Sequence, residues 1–334
     1  MPSLLKNFTE MPTRRFSFVA LFCGLVALAG CGGGGNTAPV FPPPFVPPAN
    51  GPFVYVADGG AAILQIPQSQ TGSVVASSAI AGPGTGLRSA TGVVRDAAGN
   101  VYVANQAFNQ ILVFPPALAG NVTPTLQISG ALTGLNQPFG LAVDAQGRLL
   151  VANTSGNSIT IFAFGANGNA APAALISGTA TGLSSPSGVA FDAAGNIYVA
   201  NTTGAITVFA AGSNGNVAPL RTISGPATGL NVPAGVALDA SGNLYVANAN
   251  GNSITEYAAG ATGNVTPAIT IAGSSTLLAF PQDLVVGTGN KLFVTNFSVP
   301  GVPGLIAVFA PGASGNVAPV QAITGLVGPI GISL

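Results

Sequence analysis

The stretch Pro186-Ser-Gly-Val-Ala-Phe-Asp-Ala-Ala-Gly-Asn-Ile-Tyr-Val-Ala-Asn201 decides the fold, because it recurs along most of the chain. Its tail returns as FVYVAD ending at Asp58, VYVAN at Asn105, LLVAN at Asn153, IYVAN at Asn201, LYVAN at Asn248 and LFVTN at Asn296, at intervals of 47, 48, 48, 47 and 48 residues. In the fourth copy, residues 186–192 read as a first strand and Ala-Ala-Gly195-Asn196 as a turn. Residues 197–201 and 205–209 read as second and third strands, and a turn at Gly215-Asn216 leads to a fourth over residues 220–223. Four short strands in a period of roughly 40–50 residues make one propeller blade. No apolar stripe of helical period runs for a useful length, so the class is all-β.

The ring closes in the sequence. The first copy begins at Gly51-Pro52-Phe53, already on its second strand, and lacks the opening P-x-G strand. The chain ends Pro329-Ile-Gly331-Ile-Ser-Leu334, which matches the start of the fourth copy. Residues 51–334 are therefore expected to form a six-bladed β-propeller of four-stranded antiparallel blades, closed by the C-terminal strand. Such a splice removes edges that would otherwise invite aggregation.

Composition agrees. Hydrophobic residues make up 48%, while 47 Gly and 27 Pro imply many short strands and tight turns. Only 5% of residues are charged, with eight basic against eight acidic, and there is no His or Trp. Arg14 and Arg15 precede an apolar run over residues 16–29 that ends Leu28-Ala29-Gly30-Cys31. A basic region followed by a short apolar one is a secretory signal, too short for an ordinary membrane-spanning helix. Residues 11–31 alone make a signal of ordinary length, so Met1 and Met11 both serve as possible starts. The last four residues resemble the bacterial lipobox, in which the Cys receives lipid and becomes the first mature residue. Two or more acyl chains hold a membrane stably where one does not. Residues 1–30 thus read as a lipoprotein signal, and residues 31–50, GGGG followed by a Pro-rich run, as a lipidated Cys and tether. Gly32 rather than Asp follows Cys31, which in a Gram-negative host favours the outer membrane or cell surface. Loss of Lys6, Arg14, Arg15 and Glu10 leaves five basic and seven acidic residues, a balance unsuited to nucleic acid.

The motif P-x-G-(V/L)-A-x-D-x-x-G-N-(I/L)-Y-V-A-N…I-x-x-(F/Y), over residues 52–334, resembles the NHL repeat, whose family forms six-bladed propellers and includes enzymes, scaffolds and RNA binders. Two departures argue against RNA binding. The Asp closing the second strand is Asn in five of six copies, and the basic residue before the third-strand Ile is Gln110, Ser158, Ala205, Ser253 or Leu305.

Most repeated polar residues have a structural reading. Asp96, Asp144, Asp192 and Asp239 each stand three residues before Gly99, Gly147, Gly195 and Gly242, the pattern of an Asp-initiated turn with Gly at positive φ. Asn105, Asn153, Asn201, Asn248 and Asn296 are expected to cap the second-to-third-strand loops and to decorate one face with amides. Several begin N-x-S/T, which turn composition explains better than glycosylation.

Function is sought where the repeat breaks. Asn296 to Ile306 spans ten positions against six from Asn153 to Ile159, and Ile323 to Pro329 spans six against ten from Ile176 to Pro186. The sixth copy thus gains a loop containing Ser298, Val299, Pro300, Val302 and Pro303. Asp283 stands where other copies have Gly92, Gly140, Gly188, Gly235 and Gly331, a position expected at the upper mouth of the central channel. Arg88 is the only mature basic residue in an inter-blade loop. Asp283, Arg88 and the loop residues form the candidate ligand site. Two functions follow. One is a membrane-tethered, monomeric binding module for a protein, peptide or glycan, without cofactor. The other is an enzyme like streptogramin lyase or gluconolactonase, as the family resemblance allows. The lack of His removes the commonest general base, and no base accompanies a Ser nucleophile. A structural calcium held by Asp283, amides and carbonyls is chemically open.

Overall fold

The computed structural model describes residues 53–116, 119–297 and 302–334. The signal, Cys31 and the tether expected over residues 1–50 lie outside them, as do Ser298, Val299 and Pro300.

The described strands form six antiparallel sheets arranged as a β-propeller. The fourth blade has its strands at Pro186–Phe191, Ile197–Asn201, Ala205–Phe209 and Arg221–Ser224, innermost to outermost. The last runs one residue later than its apolar pattern suggests, because Ser224 pairs with Ala205. The first blade takes Pro329–Ser333 as its inner strand, beside Phe53–Asp58, Ala62–Pro67 and Ser78–Ala81. Tyr55 faces Ser333 and Val56 faces Ile332 in that pairing. The two ends of the repeat array thus share one sheet.

Second strands are apolar up to their closing Asn or Asp, apart from Thr295, because both their faces are largely covered. All five residues of Ile197–Asn201 are buried, a pattern of fully covered rather than half-exposed strands. The core is divided among the blade interfaces. Ala57, Ile63 and Ile80 pack on Val103, Leu112 and Phe114 between the first two blades. Val54, Val56 and Ile66 pack on Phe293, Ile306 and Ile323 at the seam. Each fully buried aliphatic or aromatic side chain there is worth about 1.5–3 kcal/mol.

The Gly-Asn turn before each fourth strand ties neighbouring blades. Gly215 forms a parallel bridge with Ile176 of the preceding blade, and Gly120, Gly168, Gly263 and Gly315 do the same with Ile80, Ile128, Ile223 and Ile271. The following Asn adds a side-chain clasp: Asn216 Oδ1 accepts the N–H of Ala180 at 2.8 Å, and Asn264 that of Ala227 at 2.8 Å. At the seam, Gly72–Ser73 pairs in parallel with the last outer strand, and Ser replaces the clasping Asn.

Strand alternation puts the second-to-third-strand loops and the inter-blade loops at one end, here the upper face. First-to-second and third-to-fourth turns lie at the lower face. The Asp turns form there as expected. Asp192 accepts the N–H groups of Ala194 and Asn196 at 2.9 and 2.8 Å, and Gly195 has φ 81°.

Candidate functional site

Around the axis, adjacent inner strands approach one another at a column of glycines. A Cβ on Gly140 would lie 2.2 Å from the carbonyl oxygen of Ser187, and one on Gly92 would lie 2.1 Å from that of Phe139. Gly188 and Gly331 meet their neighbours' carbonyls at 2.5 and 2.3 Å in the same way. Glycine is required because adjacent inner strands approach too closely for any side chain.

Asp283 breaks this ring, and the structure gives the break a partner. Its Oδ1 accepts the N–H of Leu284 at 2.9 Å and its Oδ2 accepts that of Ile332, on the closing strand, at 3.1 Å. Thr295 faces Asp283 across the strand pair and donates its hydroxyl to the carbonyl of Ile330 at 2.6 Å. The two side chains therefore grip the closing strand on either side of Gly331. Thr295 was not among the expected site residues. Its signal is the Thr of LFVTN where the other copies have Ala, but its meaning depends on a strand from the far end of the sequence. Burial raises the Asp283 carboxyl from its ordinary 3.8 to about 7, against the opposing pull of the Ile332 and Leu284 N–H groups.

The channel beside Asp283 is nearly filled. Thr91, Phe139, Leu141, Val189 and Gln282 help line it, and about 20 Å³ remains, room for about one water molecule. Asp283 is the one carboxylate in that lining. Among the described residues no three His, Cys, Asp or Glu side chains converge where they could hold a metal ion.

The Asn ring departs from expectation. Asn153 and Asn201 have no exposed surface, so they do not decorate a face. Their Oδ1 atoms cap the loop entering their own blade, accepting the N–H of Asn136 at 3.0 Å and of Ser184 at 2.9 Å. Their Nδ2 groups donate to Thr160 and Thr207, each at 3.1 Å. Asp58 takes this place in the first blade, accepting the N–H groups of Val327 and Gly328 at 3.2 and 2.8 Å. The N-x-S/T runs at Asn153 and Asn201 are thus buried structural amides, in agreement with their reading as turn composition. A second set of amides spans blades: Asn109, Asn157 and Asn252 accept the N–H groups of Gln137, Ser185 and Phe280 at 2.6, 2.7 and 2.8 Å.

The structure divides the expected site residues. Asp283 lies at the axis, whereas Arg88, Val302 and Pro303 are exposed on the upper face. The Arg88 guanidinium lies 5.9 Å from the centre of the Phe108 ring, in the second blade. Charge is unevenly shared between the faces. Arg95, Asp96, Asp144, Arg148, Asp192, Arg221, Asp239, Glu256 and Lys291 all fall at the lower end of their strands or in its turns. There Arg148 pairs with Asp144 at 2.6 Å, Arg95 lies over Tyr55 at 4.4 Å, and Arg221 donates to the Tyr198 hydroxyl at 2.9 Å. Burial, reinforced by Asp96, raises the Tyr102 hydroxyl, so it stays a neutral donor to that carboxylate. With Asp58 buried and Asp283 at the axis, Arg88 is the exposed charge of the described upper face.

No family model matches the sequence, and no curated protein matches it. Solved structures share the fold. A Bacteroides caccae protein of unknown function is 13% identical with a TM-score of 0.61, covering 84% of this chain and 97% of its own. A putative 6-phosphogluconolactonase from Bacteroides fragilis is 16% identical with a TM-score of 0.57, covering 86% and 85%. Virginiamycin B lyase from Staphylococcus aureus is 12% identical with a TM-score of 0.53, covering 87% and 94%; a histidine-to-alanine variant of that lyase is catalytically inactive.

Proposed function

We propose that this chain is a lipid-anchored cell-envelope propeller of NHL type that binds a protein, peptide or glycan partner on its upper face. The observation that carries the reading is the contrast between axis and rim. The channel holds room for about one water, and its single carboxylate is bound to backbone N–H groups. A substrate-sized ligand pocket needs roughly 300 Å³ or more. The upper face instead carries Arg88 and the exposed side chains of Phe108, Val302 and Val327. The lyase-like alternative has less support, because the S. aureus lyase loses activity with one histidine and this chain has none. In this reading Cys31 carries the lipid and residues 32–50 hold the propeller off the membrane.

Photocrosslinking in the intact envelope tests the proposal. A crosslinker at Ala61, on the upper face, should give a discrete partner adduct, while one at Ala98, in a lower-face turn, should not. Adducts from Ala98 alone, or from neither position, would overturn it.

A further inference from the structure

We infer that the upper face across the sixth, first and second blades docks an extended peptide segment that presents a carboxylate beside apolar side chains, with Arg88 as the anion receptor. The inference rests on the upper-face reading above and names the partner's chemistry.

From Val327 to Phe108 the strip is continuous, and Val302 stands near its other end. Val302 stands two residues before Gly304, which pairs with Leu326, and Val327 follows. The Val327 side chain lies over Gly59, where an added Cβ would be 3.3 Å away, and a Cβ added to Gly60 would lie 3.4 Å from the Arg88 carbonyl oxygen. Arg88 in turn sits over Phe108. Val327 is 74% exposed, Phe108 45% and Val302 39%, so three large apolar side chains present surface along this part of the rim.

The strip is also rigid. Val327 and Gly328 donate their N–H groups to the buried Asp58, Gly59 donates to Gly328 at 3.2 Å, and Arg88 donates its backbone N–H to Asn105 at 3.2 Å. A surface already fixed by such bonds loses little freedom when a partner docks.

Charge complementarity selects the occupant. No hydrogen bond or ion pair engages the Arg88 guanidinium among the described residues, in contrast to the carboxylate partner of Arg148 and the hydroxyl partner of Arg221. Stacking on Phe108 leaves the planar fork of donors open to a carboxylate. Gly59, Gly60 and Ala61 put almost no side chain between Val327 and Arg88, so a peptide backbone can lie close there. A glycan would need several hydroxyl-binding groups, and this strip offers Arg88 amid apolar side chains.

The test pans a displayed random heptapeptide library on the detergent-solubilised full-length protein. Enriched peptides should carry Asp or Glu within two positions of an apolar residue. Their affinity should fall at least tenfold on Arg88→Gln and on Val327→Ser, and Arg88→Lys should restore part of it. Both side chains are exposed, so melting temperatures should stay unchanged. Failure to enrich peptides, enrichment of peptides without an acid, or equal binding to Arg88→Gln would overturn the inference. A glycan adduct from the Ala61 crosslinker would likewise overturn it, while leaving upper-face binding intact.

Discussion

Asp283 Oδ2 accepts the N–H of Ile332 at 3.1 Å, so the residue that interrupts the column of inner-strand glycines holds the strand that closes the ring. Thr295 completes the grip through the Ile330 carbonyl. Elsewhere around the ring inner strands meet at glycines, and Thr91 donates its hydroxyl to the Pro138 carbonyl of the next blade at 3.2 Å, whereas the seam joins residues from opposite ends of the propeller sequence. A side-chain lock there helps specify which strand closes it.

This arrangement gives stability a pH dependence. Burial lifts the Asp283 carboxyl from 3.8 to about 7, so the folded state holds a proton that the unfolded chain releases between those values. The contribution is fully present below about pH 4 and is lost as pH rises through about 7. From pH 5.5 to 8.5 the wild type should lose about 2 kcal/mol relative to Asp283→Asn. Thermal unfolding across that range checks it; parallel pH profiles for the two proteins would refute it.

The axis glycines should tolerate no methyl group. Gly140→Ala places a carbon 2.2 Å from a backbone oxygen that cannot swing away, and should cost about 3 kcal/mol or more. Gly312→Ala is the comparison: its φ is 70° with open space around it, so backbone strain alone should cost about 1–2 kcal/mol. Melting of both variants should rank them in that order.

Buried and exposed amides should differ in the same way. Asn201→Ala leaves the Ser184 N–H and the Thr207 hydroxyl without their partner, which should cost about 1–3 kcal/mol. Asn216→Ala removes a more exposed clasp and should cost about 1 kcal/mol or less, with faster hydrogen exchange at the Ala180 amide. Equal losses would show that burial does not govern their contributions.

The fold was legible because each blade repeats its own local code. Period, turn Asp-Gly pairs and the missing first strand at Phe53 identify the ring and its closure. Interactions between blades were much less so. The Gly215-Asn216 turn reads locally as a hairpin signal, yet its backbone and side chain serve the preceding blade. Asn201 lies beside a loop in sequence but bonds inward to a different one. Asp283 stands out as a break in a glycine column, whereas its partner Ile332 lies 49 residues away on a strand lent to the first blade. Of the expected site, Arg88, Val302 and Pro303 reach the upper face, and Asp283 stands apart from them at the axis.

Binding is proposed at the rim rather than in the channel. Yield of the Ala61 crosslinked adduct in the intact envelope, compared between Arg88→Gln and Asp283→Asn, separates the two sites. Arg88→Gln should lower the yield at least fivefold, and Asp283→Asn should leave it unchanged at pH 6. Loss of the adduct with Asp283→Asn and its retention with Arg88→Gln would place recognition in the channel and refute binding at the rim.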